Sequence, residues 1–397
     1  MALMRNYNHM KNLFQIFLFI TFSILSFYYL SISFDYTDKE NAINERDTLI
    51  TAAINIVGDL MCHSTQFNYA HVKDDSFDFN GVFSEVKQYL TDADFTIGNL
   101  ETVLAGKKKR YSGYPYFNAP DDFLFAIKEA GFDFLVNANN HAIDKGAKGV
   151  ERTIKKLDEL GINYTGAYLS QNDRDSIRII NINGIHFAIL AYTYSTNGIS
   201  IPKGKEYIIN LIDYDLIEKD IARARKERVD IVLVYFHFGE EYQRLPNIYQ
   251  KEVVNNTINA GADIIIGSHP HVVQPVDYFK TNKANLDSGF VAYSLGNFIS
   301  NQRWQYSDAG IIVKINISKN ILSDSVYISG ISYLPTWVFK GNTEKGREYI
   351  ILPSSKTYED SLYSYLSKSD REKMQQAFED TKYIFTKLNN NVVLISP

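Results

Sequence analysis

One cysteine in 397 residues excludes a good deal at once. Cys62 alone closes no intrachain disulfide and builds no thiolate zinc cluster, so any metal must be held by His, Asp, Glu or Asn. Proline is scarce too, with 9 residues. The chain is 45% apolar and 22% charged, which excludes a Pro-rich or highly charged disordered polypeptide. Basic residues are not in excess. A net charge of -5 leaves no electrostatic footprint for non-specific nucleic-acid binding, and nucleic acid is not an expected partner. No internal repeat marks a solenoid. What remains is a globular chain with apolar material for one large domain or two ordinary ones.

Charge is missing altogether from residues 13–34, LFQIFLFITFSILSFYYLSISF. Those 22 residues match the length of a helix that crosses a hydrocarbon core of about 30 Å. Either a transmembrane helix or a signal sequence fits. A cleaved signal has a shorter apolar core, ~7–15 residues, and ends in an A-x-A-like site, which favours an uncleaved anchor here. Arg5 and Lys11 precede the run, while Asp35, Asp38 and Glu40 follow it against Lys39 alone. The positive-inside rule then puts residues 1–12 in the cytoplasm and the rest outside the cell membrane. Residues 35–50 read as a polar linker.

Beyond the linker one pattern recurs: an amphipathic helix, a glycine, then a short apolar strand. It is seen in FLFAIKEAGFDFLVNANNH, VERTIKKLDELGINYTGA and VVNNTINAGADIIIGSHPH. Val150, Ile154, Leu157 and Leu160 line one helical face, and Gly131, Gly161 and Gly261 stand where left-handed caps are needed. Alternating helices and strands predict an α/β layer fold. Later segments read as purely β. Asn183-Gly184 between two apolar runs is a hairpin signal, so the sheets are expected to be mixed. The expected domain covers residues 51–336. Residues 337–397 form a C-terminal extension whose polar helix packs on the outside.

Polar residues collect where strands should end. Asp59 follows INIVG; Asn99 and Glu101 close FTIGNLE; Asn140, His141 and Asp144 follow FLVNA; His237 ends IVLVYFH, with Glu240 and Glu241 behind it. In GADIIIGSHPHVVQP, His269 and His271 flank Pro270. Proline biases its predecessor toward extended backbone, so the two imidazoles are expected side by side on one face. Four of the eight histidines thus sit at the strand edge where open α/β sheets bind ligands. Carboxylates, an amide oxygen and imidazoles together suit two divalent ions such as manganese, iron or zinc better than calcium. His141 is the candidate general acid, polarised by Asp144 if a helix begins there. His186 reads as a buried structural histidine, and Cys62 as a small hydrophobe. Asn297 in SLGNFI reads equally as a turn residue or a site residue. The run Lys107 to Arg110, followed by YSGYPYF, is either a solvated face or a guide for an anionic polymer.

The ordered set GDLMCH, GNLET, ANNHAID, HFGEEY, GSHPHVVQP and SLGNFI resembles the CapA family of capsule and poly-γ-glutamate synthesis proteins, within the calcineurin-like metallophosphoesterase superfamily. The resemblance runs from Ile54 to Ile299. It implies a calcineurin-like sandwich of mixed β-sheets flanked by helices. By the same resemblance Asp59, Asn140, His237, His269 and His271 are metal ligands, Asn99 and Glu101 stand at the bridging position, and His141 is catalytic. Met61 occupies the place of a first-motif histidine, and His63 lies two residues beyond it. The implied role is synthesis or export of a surface polymer. Its implied partners are the anionic polymer or its precursor and other membrane subunits. The protein acts either as a metal-dependent hydrolase or as a non-catalytic polymer-binding scaffold.

Overall fold

The computed structural model describes residues 10–11, 13–31, 48–280, 283–354 and 363–395. Two compact units emerge, and the smaller contains an N-terminal helix, Leu13–Ser31, of 19 residues with mean hydropathy 1.9. By length and composition this helix can cross a membrane. Residues 32–34 of the expected anchor, most of the expected cytoplasmic segment 1–12 and most of the expected linker lie outside the described residues; the last two linker residues, Leu49 and Ile50, already open a strand.

The larger unit, Ile50–Lys319 with Ser325–Pro397, carries the sheets. In chain order the strands are β1 (Leu49–Leu60), β2 (His71–Lys73), β3 (Ser76–Phe77), β4 (Phe95–Leu100), β5 (Phe134–Val136) and β6 (Asn163–Thr165). Then come β7 (Arg178–Ile182), β8 (Ile185–Thr193), β9 (Ile231–His237), β10 (Ile264–Ser268), β11 (Val276–Lys280) and β12 (Ser288–Ala292). β13 (Asn297–Ile299), β14 (Ala309–Asn320), β15 (Val326–Thr343), β16 (Gly346–Pro353) and β17 (Val393–Leu394) complete the set. One sheet runs β16-β15-β14-β1-β4-β5-β6, with β13 on β1 and β17 on β15; the other runs β11-β12-β10-β9-β8-β7. Pairing is parallel around β1, β4 and β5 and around β8, β9 and β10, and antiparallel toward the hairpins. The expected mixed sheets flanked by helices are present.

Period-two alternation explains how both faces of the central strands are buried. Leu233 and Tyr235 of β9 meet Ile54 and Ile56 of β1 in the core between the sheets, while Val232, Val234 and Phe236 pack on Ile221 and Val253 of the outer helices. The helices Asp121–Glu129, Ala147–Glu159 and Ile248–Ala260 are each followed by a left-handed glycine, Gly131, Gly161 and Gly261, as predicted. Asn183 and Gly184, both at positive φ, turn the β7–β8 hairpin.

Two expectations fail here. The domain boundary at 336/337 falls inside β15, because Trp337 is a buried strand residue paired with Ala309 and Leu352; the outer helix, Lys368–Phe385, does pack on this sheet through Met374 and Ala377. His186 is not buried. It projects from β8 toward solvent, with Nδ1 3.6 Å from the Asp230 carboxylate.

Candidate metal centre

The polar strand ends converge, but from two sheets rather than one edge. Asp59 is the last residue but one of β1, Glu101 follows β4, and Asn140 to Asp144 follow β5. His237 closes β9 and His269 follows β10 on the facing sheet. Register brings the pieces level: Asp59 pairs with Asn99, and His237 with Ser268. Gly58 permits this arrangement, since a Cβ there would lie 1.9 Å from the Gly296 carbonyl oxygen, which accepts the Asp59 amide at 3.0 Å.

Two groups of potential ligand atoms share one carboxylate. Around Nε2 of His237 stand Oδ1 of Asn140 at 3.0 Å, Nδ1 of His269 at 3.2 Å and Oε1 of Glu101 at 3.6 Å. Asp59, Glu101 and His271 form the second group, with Nδ1 of His271 3.0 Å from Oδ2 of Asp59 and its Nε2 3.8 Å from Oε1 of Glu101. Asn99, expected as a ligand, does something else. Its amide nitrogen donates to Oδ1 of Asp59 at 2.8 Å and its oxygen accepts from Asn139 at 3.1 Å, so it orients Asp59 instead of offering a free oxygen.

The electrostatics fit a cation. Both carboxylate oxygens of Glu101 are fully buried and meet no hydrogen-bond donor. Burial and the neighbouring Asp59 push its carboxyl well above the ordinary range, which is costly without a counter-charge. Burial would also raise Asp59, but its hydrogen bond to His271 and that imidazole's charge bring it below the usual value. Burial, together with the neighbouring imidazoles, depresses His237 far below the ordinary imidazole value and His269 to about 3, so both rings are neutral at physiological pH. An orphaned carboxylate beside the imidazoles of His237 and His271 has the donor chemistry of a divalent-metal site.

The backbone around the histidine pair departs from its expected form. His269 and His271 are not extended: both lie at positive φ, 98° and 58°, in a turn that leaves β10. The two rings consequently serve different groups, His269 facing His237 and His271 facing Asp59. Non-glycine residues held at positive φ cost of order 1–3 kcal/mol each and persist where packing over-determines them.

Beside the ligand groups, Nδ1 of His141 is 2.8 Å from Oδ2 of Asp144, which also accepts the Phe117 amide at 2.7 Å. No helix carries this pair. Successive turns do, with the Asp144 amide bonded to the His141 carbonyl, and the next helix begins only at Ala147. Asp144 thereby fixes the proton on Nδ1 and leaves Nε2 of the buried His141 on the opposite side of the ring, 3.5 Å from the Asn197 amide nitrogen.

The family model for the bacterial capsule synthesis protein PGA_cap matches residues 53–302. The chain belongs to this family. This PGA_cap member is 34% identical over 276 residues to the capsule biosynthesis protein CapA of Bacillus anthracis, covering 67% of this chain and 64% of that one. It is 29% identical over 245 residues to the PGA biosynthesis protein CapA of Bacillus subtilis (strain 168), covering 61% and 62%. The chain therefore matches under two thirds of either relative's length. Among solved structures, a calcineurin-like phosphoesterase, YfkN from Bacillus subtilis, aligns at 12% identity and a TM-score of 0.39, covering 85% of this chain and 99% of that one.

Several residues of the PGA_cap site carry no warning in the sequence. Ser268 holds Nδ1 of His237 at 3.0 Å, Asn139 braces Asn99, and the Tyr194 ring lies 4.4 Å from that of His269. Serine, asparagine and tyrosine at strand ends are common for turn or packing reasons, so only the fold singles them out. His63 caps the helix Ser64–Ala70, its ring contacts Phe117, and burial takes it to about 4. Asn297 donates to Gln302 and to the Ser307 carbonyl beneath the site. Cys62 is buried, which pushes its thiol up.

Proposed function

We propose that this PGA_cap protein is a membrane-anchored, extracytoplasmic metallohydrolase that cleaves or transfers a phosphoester or related acyl bond during synthesis or export of an anionic surface polymer. The observation that carries the reading is Glu101, a buried carboxylate without donors set between the imidazoles of His237 and His271. In this reading Asn140, His237, His269 and Glu101 hold one divalent ion, and Asp59, Glu101 and His271 hold the other, with manganese, iron or zinc suited to the donors. Such ions, when bound, supply Lewis acidity and positive charge for an in-line displacement.

The chain's own residues do the rest. Asp144 keeps His141 oriented, so that protonated Nε2 can hand a proton to the leaving oxygen. Asn99 holds the Asp59 carboxylate in place. The exposed run Lys107–Lys109 and Arg110, joined to the loop whose Phe117 amide reaches Asp144, draws an anionic polymer toward the site. The N-terminal helix stays uncleaved and keeps the domain beside other membrane subunits of a synthase or export complex.

A second reading, a non-catalytic polymer-binding subunit, is favoured by one feature. Met61, buried at the first-motif position, offers no imidazole nitrogen. Metal analysis and a phosphodiester panel on the detergent-purified full chain separate the two. The enzyme reading expects bound metal and turnover, with turnover reduced at least about 100-fold in His271→Ala. Metal-loaded protein without His271-dependent turnover would leave the binding subunit; protein free of metal would sink the centre itself.

A further inference from the structure

We infer that Glu241 is an additional metal ligand, supplied from the solvent side to the ion held by Asp59, Glu101 and His271. The inference rests on the proposed metal centre and adds a residue to it.

The second ion is short of ligands. The group around His237 has four potential ligand atoms, whereas the group around Asp59 has three, because Met61 contributes no nitrogen. Three protein ligands leave a divalent transition ion with an open position. A second cluster borders this one: one ligand atom each from Glu241, His269 and His271 lies within 4.8 Å of the others. His271 belongs to both clusters. The simplest assembly is therefore one ion at His271, with Asp59 and Glu101 on its buried side and the exposed Glu241 outside.

Local backbone explains why this carboxylate is available. After β9 the chain turns at Gly239, φ 112°, and the Tyr242 amide donates to the Pro270 carbonyl at 2.8 Å. That bond ties the Glu241 loop directly to the His269–Pro270–His271 turn. Glu240, its neighbour, is also exposed but belongs to neither cluster. A carboxylate in place of an imidazole keeps the donor count while making the position harder, in the direction of manganese over zinc.

The test titrates manganese chloride into the metal-stripped full chain in detergent, following heat and bound metal, for wild type, Glu241→Gln and Glu240→Gln. Wild type is expected to take two equivalents. Glu241→Gln should keep one at unchanged affinity and bind the other at least about tenfold more weakly, with Glu240→Gln like wild type. Because Glu241 is exposed, the metal-free melting temperature of its variant should match wild type, which separates ligand loss from misfolding. Identical isotherms for wild type and Glu241→Gln would overturn this inference and leave the centre standing. Equal weakening by Glu240→Gln would reduce the effect to surface charge and overturn it too. A wild type that takes up no manganese would overturn both the centre and the inference.

Discussion

Glu101 concentrates the account into one side chain. Its pKa is raised, so the folded metal-free protein keeps a proton that the unfolded chain releases above the ordinary value of 4.5. Native protein thus binds more protons than unfolded protein in that range, and metal-free stability must fall as pH rises. Glu101→Gln removes the titration. Thermal melts of the metal-free proteins from about pH 5 to about pH 9 should show wild type losing stability progressively relative to Glu101→Gln. The same variant should bind metal at least about tenfold more weakly, since an amide replaces the shared carboxylate. Parallel melting curves at all pH values would mean that the carboxylate is compensated by something other than a bound cation.

At the scale of strands and turns, the site depends on how closely two backbones approach. Gly58→Ala would drive a methyl into the Gly296 carbonyl and part β1 from the loop before β13, costing about 1–3 kcal/mol by chemical denaturation. A loss under a few tenths would mean that this junction can relax. The strand ends also explain what could be read in advance. Asp59, His237 and His269 each follow an apolar run, where a polar group has no packing role, so sequence alone marks them. The left-handed turn at His269–Pro270–His271 was not legible, because the local rule for a residue before proline points to extended backbone and only the tertiary contacts reverse it. Alternation could not say which sheet a strand joins, so the expectation of a single edge hid the meeting of β1 and β4 with β9 and β10. Trp337 misled for a related reason: a polar stretch beyond it suggested a separate extension, while the residue itself sits buried in the middle of β15.

For the whole molecule, a sandwich that brings candidate ligands from both sheets would make the proposed centre a clasp between them. Metal binding should then stabilise the domain as a unit, by RT ln(1 + [L]/Kd), or about 2.7 kcal/mol at a hundredfold excess over Kd. The N-terminal helix makes a separate claim. Expressed in full, the chain should sediment with membranes at its intact mass, and loss of roughly the first 35 residues would identify a cleaved signal instead. The central claim concerns the buried carboxylate, and anomalous diffraction from manganese-soaked crystals of the full chain tests it most directly. The account predicts two anomalous peaks flanking Glu101, one among Asn140, His237 and His269 and one beside Asp59 and His271; a well-ordered Glu101 with no peak within bonding distance would contradict it.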